Sequence, residues 1–309
     1  MKLVDLEWKY LIVLDACRYD YFKKVYQDYL IGKLKKIKST GTFTSEWLAT
    51  QFTDYYEDIV YVSGNSYINS FCETNGFGFR FDGRKHFPKI YDVWDYDWSD
   101  EYKTAMPQAI NRGILRAMND YPNKRITAHY MQPHFPYISE NYKKYNKYME
   151  NRRKIEELRK KTGNKLWDLL KNNLNIKLAS KVAKLFGLAS PKMMIINNEG
   201  ISGLRRAYEE NLREVLKEVV KIIPKLNGKV VITADHGELL GEHGKIGHYK
   251  GVGKYKELWY VPYFEVKGIN KMYVKKKEEK EGKRIIEMKN NRDKEKIVKE
   301  RLRALGYYV

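Results

Sequence analysis

Five short apolar, β-branched or aromatic runs punctuate this chain: Tyr10–Leu14, Ile59–Val62, Ile126–Met131, Val230–Thr233 and Tyr260–Val266. Between several of them lie stretches of helical periodicity, such as Asn111–Asn119 and Gly203–Ile223. Strands that alternate with helices in this way pair side by side only if each helix crosses a face of the sheet. The pattern therefore predicts an α/β fold with a mostly parallel central sheet flanked by helices. Ligands of such sheets gather just beyond the carboxyl ends of the strands. Asp15 follows the first run, His134 the third, and the pair Asp235-His236 the fourth, so the chemistry-bearing residues are expected along one edge.

With 309 residues and 43% hydrophobic content the chain can build one large core. The net charge of +20 points to an anionic substrate or partner, but it is unevenly placed. Residues 141–190 carry +10 and residues 270–309 carry +7, which leaves the remainder close to neutral. The first of these segments reads as a basic helical insertion. Within it, Leu174–Leu188 places Leu174, Leu178, Val182, Leu185 and Phe186 on one face and Lys177, Lys181 and Lys184 toward the other. That pattern suits a helix packed on the body with solvated lysines, and it also suits a surface-seeking helix on anionic lipid. Residues 270–296 are a charge run, and the closing IVKERLRALGYYV regains the periodicity of a terminal helix. Only Cys17 and Cys72 occur, neither in a CxxC, and no stretch approaches the roughly 20 apolar residues of a membrane span. These features predict a cytoplasmic protein, with peripheral membrane association as an option.

The strongest local signal is TADHGELLGEHGKIGH, which follows the fourth run directly. A carboxylate and an imidazole side by side at a strand end can both face a divalent cation, and the glycine lets the chain turn at once. His243 and His248 follow within the same segment. Asp15 ends an apolar run and is either a helix cap or a metal ligand; the adjacent motif favours the ligand, because a cation gathers donors from separate strands. In STGTFTSEWLATQF, small hydroxyl residues precede a helix expected to start near Ser45. Thr44 or Ser45 suits an N-cap, and one threonine suits a nucleophile. In HYMQPHFPYI, His129 lies inside the strand and reads as a core histidine. His134, on a stiff loop between two prolines, suits an oxyanion contact or a proton donor.

Together these segments resemble the alkaline phosphatase superfamily, in particular its sulfatase-like branch and lipid phosphotransferases such as lipoteichoic acid synthase and the phosphoethanolamine transferases. The resemblance covers about residues 8–138 and 228–268. It implies a catalytic domain over 1–268, interrupted by the 141–190 insertion, and a basic extension over 269–309. It also implies metal ligation by Asp15, Asp235, His236 and Thr42, with Thr42 as nucleophile. Thr42 is preferred to Thr44 because TFTSEW resembles the lipoteichoic acid synthase segment TSDSEF. His134 and His248 match substrate-contacting histidines. Neither cysteine stands in the C-x-P-S-R or C-x-A-x-R setting of formylglycine sulfatases, which favours phosphate over sulfate esters.

The expectation is a metal-dependent hydrolase or transferase of phosphate esters, working through a covalent threonine intermediate. It would carry one or two divalent cations, with Zn²⁺ or Mn²⁺ preferred. A sulfatase without formylglycine is the enzymatic alternative. An inactive module binding polyanions or membrane is the non-enzymatic one, with nucleic acid the less favoured partner.

Overall fold

A computed structural model describes residues 2–151, 176–185, 187–249 and 251–273. The chain divides into one unit over Met1–Gly268 and another over Ile269–Val309. A seven-stranded sheet organises the first. In chain order its strands are β1 (Tyr10–Leu14), β2 (Leu30–Lys38), β3 (Ile59–Ser63), β4 (Lys89–Asp92), β5 (Arg125–Tyr130), β6 (Val230–Thr233) and β7 (Tyr260–Ile269), and across the sheet they run β2-β7-β6-β1-β5-β3-β4. The pairs β1/β6, β1/β5, β3/β5 and β3/β4 are parallel, and β6/β7 is antiparallel. This is a mostly parallel α/β sheet flanked by helices.

Strands β1, β3 and β6 are buried at every position. Continuous apolar runs such as YLIVL and IVYVS are what a sheet covered on both faces requires. Helix α1 (Tyr19–Val25) follows β1, and on one face Trp47 and Leu48 of helix α2 (Thr44–Gln51), with Phe52 just beyond its end, pack with Leu11, Val13, Tyr61 and Val231. Helix α3 (Pro107–Asp120) packs on β5 and β3, and on α5 (Pro191–Ile222). At Gly113, a Cβ would come within 2.7 Å of Val62, so the absent side chain sets that approach.

Two sheet strands escape the sequence pattern. In β2, LIGKLKKIK, lysines alternate with apolar residues along the edge of the sheet, a charge pattern that discourages further pairing. Strand β4 holds the opposite edge with only four residues.

The insertion contributes helix α4 (Ile176–Leu185). Its lysines are solvated as expected, but the buried positions are Ile176 and Ser180, while Leu178 and Leu185 are 50% and 84% exposed. The inward face is therefore not the leucine row. The choice follows from a neighbouring cluster of Tyr142, Tyr145, Ile195 and Leu204, against which Ile176 and Ala183 pack. Leu174 and Phe186, the charge run beyond residue 273 and the expected terminal helix lie outside the described residues.

Gly200, at φ +70°, breaks α5 into two helical stretches, a conformation open to glycine and strained for other residues. Beside this break Glu199 accepts hydrogen bonds from Tyr142 (2.9 Å), Tyr145 (3.1 Å) and Arg206 (3.2 Å). Burial alone would raise the Glu199 pKa, but these donors hold it below the ordinary carboxylate value. A carboxylate whose folded pKa is depressed contributes stability above its unfolded pKa and loses it as pH falls through the folded value. Glu199→Gln is therefore expected to cost about 1 kcal/mol at neutral pH. The difference from wild type should shrink below the ordinary carboxylate range, as measured by urea denaturation at both pH values.

Candidate active site

Asp15 and Asp235 each sit where a strand of the sheet ends. Asp15 follows β1 directly and is buried. Its Oδ2 accepts from Asn65 Nδ2 at 2.7 Å, just beyond the end of β3. Asp235 lies two residues beyond β6. Its Oδ1 accepts from the backbone N–H groups of Ala16 and His236, both at 2.9 Å, and its Oδ2 accepts from Thr44 Oγ1 at 2.8 Å. Ser39 Oγ donates to the Asp235 carbonyl.

His236 Nδ1 lies 2.8 Å from the Gly237 carbonyl, which can only accept. That bond places the proton on Nδ1 and turns the Nε2 lone pair toward Thr44 Oγ1 (3.4 Å), Asp235 Oδ2 (3.4 Å) and Asp15 Oδ1 (3.9 Å). Burial lowers the His236 pKa to about 4, so the imidazole is neutral near pH 7. His129, inside β5, places Nε2 3.9 Å from Asp15 Oδ2 and 3.8 Å from Asp235 Oδ2, while its Nδ1 meets Tyr61 Oη at 3.0 Å.

Asp15, His129 and Asp235 form one group able to hold a metal ion among the described residues. Their fit to a cation shows in the buried atoms: Asp15 Oδ1 and His129 Nε2 have no hydrogen-bond partner. The separations of 3.4–3.9 Å are too long for hydrogen bonds but near the ~3.4 Å expected between ligands ~2.1 Å from a tetrahedral centre. Without a cation, burial and the Asp235 charge push the Asp15 carboxyl well above the ordinary carboxylate range.

A second group able to hold a metal ion comprises His134, Glu238 and His248. The His248 ring lies 4.2 Å from that of His236 and 5.2 Å from that of His134, measured between centroids, and is tilted against both. Glu238 Oε1 receives Lys192 Nζ at 2.8 Å, and both residues are buried. Burial would raise the Glu238 pKa, but Lys192 and the neighbouring histidines hold it well below the ordinary value. Burial lowers His134 well below the usual histidine range.

Not every expected residue joins these groups. Thr42 gives both its backbone N–H (2.7 Å) and its hydroxyl (2.9 Å) to Glu46 Oε2. Thr44 is the first residue of α2 and not its N-cap; that place falls to Phe43, and Ser45 Oγ donates to the Gly76 carbonyl at 2.8 Å. The hydroxyl at Asp235 and His236 is thus that of Thr44. His243 is exposed, stacked on Tyr255 and 3.3 Å from Glu257.

The loop that carries the Asp-His pair is held from below. A Cβ at Gly237 would lie 2.0 Å from the Glu257 carbonyl, so only glycine fits there. Arg18 is buried and donates to the Glu238 carbonyl (3.1 Å), to Glu242 (2.9 Å) and to Asp20 (2.7 Å). Arg18→Ala takes a donor from each of these acceptors, the buried Glu238 carbonyl among them, and is expected to lower stability by about 3 kcal/mol, measured by chemical denaturation.

A family model described as Sulfatase matches residues 22–272. The chain belongs to the sulfatase family. That family lies in the sulfatase-like branch which the chain's motifs resemble. Enzymes of the sulfatase family use a divalent metal, in keeping with the Asp/His group described above.

Among solved structures, it is similar to lipooligosaccharide phosphoethanolamine transferase A of Neisseria meningitidis, with 15% identity and a TM-score of 0.48 over 82% of this chain and 47% of the other. This chain thus spans about half the length of that transferase. It is also similar to a phosphonate monoester hydrolase of Agrobacterium radiobacter, with 13% identity and a TM-score of 0.48 over 83% and 67% of the two chains. A third is the C-terminal periplasmic domain of EcEptC from Escherichia coli, with 13% identity and a TM-score of 0.46 over 86% and 74%. Curated proteins give no match.

The cytoplasmic placement expected from the sequence is corrected on this comparison, since similar solved domains are named as periplasmic. The signals behind it were weak on physical grounds. A core of this size holds without disulfides, so two free cysteines, one buried and one exposed, do not separate the compartments. No helix among the described residues is long and apolar enough to cross a membrane.

Sequence reasoning missed four contributors. His129 read as core because it lies inside an apolar strand, and the sequence carries no sign that its ring faces two carboxylates. Asn65 follows a strand end, the one position rule that could have found it. Glu238 stands within the DHGE run, but the sequence gives it no role of its own. Lys192 comes from the far side of the insertion, and no local pattern marks it.

Proposed function

We propose that the protein transfers or hydrolyses phosphate esters through a covalent intermediate on Thr44. The observation that carries this reading is the Thr44 hydroxyl, fixed at the N-terminus of α2 by its 2.8 Å bond to Asp235 Oδ2 and 3.4 Å from His236 Nε2. Thr42, expected in this role from the resemblance, spends its hydroxyl on Glu46. The proposal therefore moves to Thr44.

Asp15, Asp235, His236 and His129 would hold a divalent cation, with Thr44 beside them. Such an ion, when bound, makes the neighbouring hydroxyl more acidic and neutralises charge on the ester oxygens. Thr44 directs its proton toward Asp235 Oδ2 and its oxygen toward phosphorus. As the Thr44 Oγ–P bond forms, the bond from phosphorus to the leaving oxygen breaks, and the departing alcohol takes up a proton. The free backbone N–H groups at the start of α2 face the growing negative charge. His134, kept neutral by burial, and His248 flank the transferred group. Lys192 holds the Glu238 carboxylate beside them. Water or an alcohol then attacks the phosphothreonine and frees Thr44.

A hydroxyl nucleophile in place of a formylglycine cysteine favours phosphorus over sulfur. Protein loaded with Zn²⁺ or Mn²⁺ is expected to turn over an aryl phosphate or phosphodiester. Turnover of aryl sulfate alone would overturn the reading.

A further inference from the structure

A second feature opens from the reacting centre and is not used by the chemistry. Asn65, which holds Asp15, and His134 line the inner end of a cleft of about 440 Å³. Its walls are Trp94, Trp98, Met131 and Phe135, and Lys103 stands among the lining residues with no aspartate or glutamate. Trp98 keeps 46% of its surface exposed, although a large indole gains from being covered.

We propose that this cleft is the binding site for the organic group of the ester, and that the group is a ring with a flat apolar face, neutral or anionic. The inference rests on the reading of the reacting centre given above. Continuity with Asn65 and His134 makes the occupant part of the reacting molecule. Two indoles and a phenyl ring offer flat faces on which a ring stacks, in the size range of pockets that take small ligands. Lys103, the one lysine or arginine of the lining, pairs with exposed Asp100 at 3.6 Å outside it, and no carboxylate of the lining is left to receive a cationic group such as an aminoethyl tail.

The test uses three phosphonates that cannot be hydrolysed: phenyl-, methyl- and 2-aminoethylphosphonate. Each is titrated calorimetrically into Zn²⁺-loaded protein, with Trp98→Ala and Trp98→Phe as variants. Phenylphosphonate is expected to bind roughly tenfold more tightly than the other two, as one stacking contact provides. Trp98→Ala should abolish that advantage without weakening methylphosphonate, and Trp98→Phe should restore most of it. Equal binding of all three, or a phenyl advantage that survives Trp98→Ala, overturns the proposal while leaving the reacting centre standing. If none binds to metal-loaded protein, the reading of the centre itself fails, and the cleft proposal with it.

Discussion

Thr44→Ala is expected to lower turnover of a phosphate ester by roughly 10⁴-fold or more, the scale seen when a covalent nucleophile is removed. Thr42→Ala should stay within about tenfold of wild type. The contrast follows from where the two hydroxyls go. Thr44 Oγ1 sits on Asp235 beside His236, while Thr42 Oγ1 and its backbone N–H serve Glu46. Thr42→Ala removes one hydrogen bond next to a helix start, so its main effect should be a loss of about 1 kcal/mol in stability. Thr44→Ser keeps a hydroxyl at the same place and should retain measurable turnover. Steady-state kinetics of the three variants, with circular dichroism to confirm folding, separate the two threonines. Inactive Thr42→Ala beside active Thr44→Ala would return the role to Thr42.

Asp235→Asn should remove both bound metal and activity. An amide in this position keeps an oxygen for the N–H groups of Ala16 and His236 but replaces the anionic Oδ2 that receives Thr44. Turnover is expected to fall by about 10³-fold, the size of a lost charge-stabilising contact in an active site. Metal content measured by mass spectrometry should drop to background. Stability provides an independent sign. Asp15 and Asp235 repel each other, and this repulsion, together with burial, pushes the Asp15 carboxyl up. Neutralising one partner relieves the strain of the metal-free state, so metal-free Asp235→Asn should melt no lower than metal-free wild type. Metal at a hundred times its dissociation constant should stabilise wild type by about 2.7 kcal/mol and leave the variant unmoved. A variant that still binds metal stoichiometrically would contradict the ligand assignment.

How far the sequence reached depends on whether the deciding contact is local. The strands YLIVL, IVYVS and VVIT were legible because a doubly covered strand needs an unbroken apolar run. The lysine-laced edge strand Leu30–Lys38 was not, since half of its residues face solvent. The inward face of Ile176–Leu185 was misplaced for a related reason. Leucine periodicity identifies an apolar stripe, but the neighbouring tyrosine and isoleucine cluster selects which side is buried. At the site, Asp15, Asp235 and His236 could be read because strand ends and a contiguous motif mark them. Telling the surroundings of Thr42 from those of Thr44, on which the proposed nucleophile depends, needs the exact start of a short helix, which is two residues of uncertainty in any pattern. His129, Asn65 and Lys192 meet the others only through the fold: Asn65 and Asp15 are fifty residues apart in sequence, and Lys192 and Glu238 forty-six.

The account turns on one covalent bond. Metal-loaded protein is mixed with an aryl phosphate, quenched in acid within the first turnover, digested, and sequenced by fragmentation mass spectrometry. Phosphate on Thr44, absent from the Thr44→Ala protein, is the predicted result; phosphate on Thr42 or Ser45, or turnover with no phosphorylated residue in this segment, would contradict it.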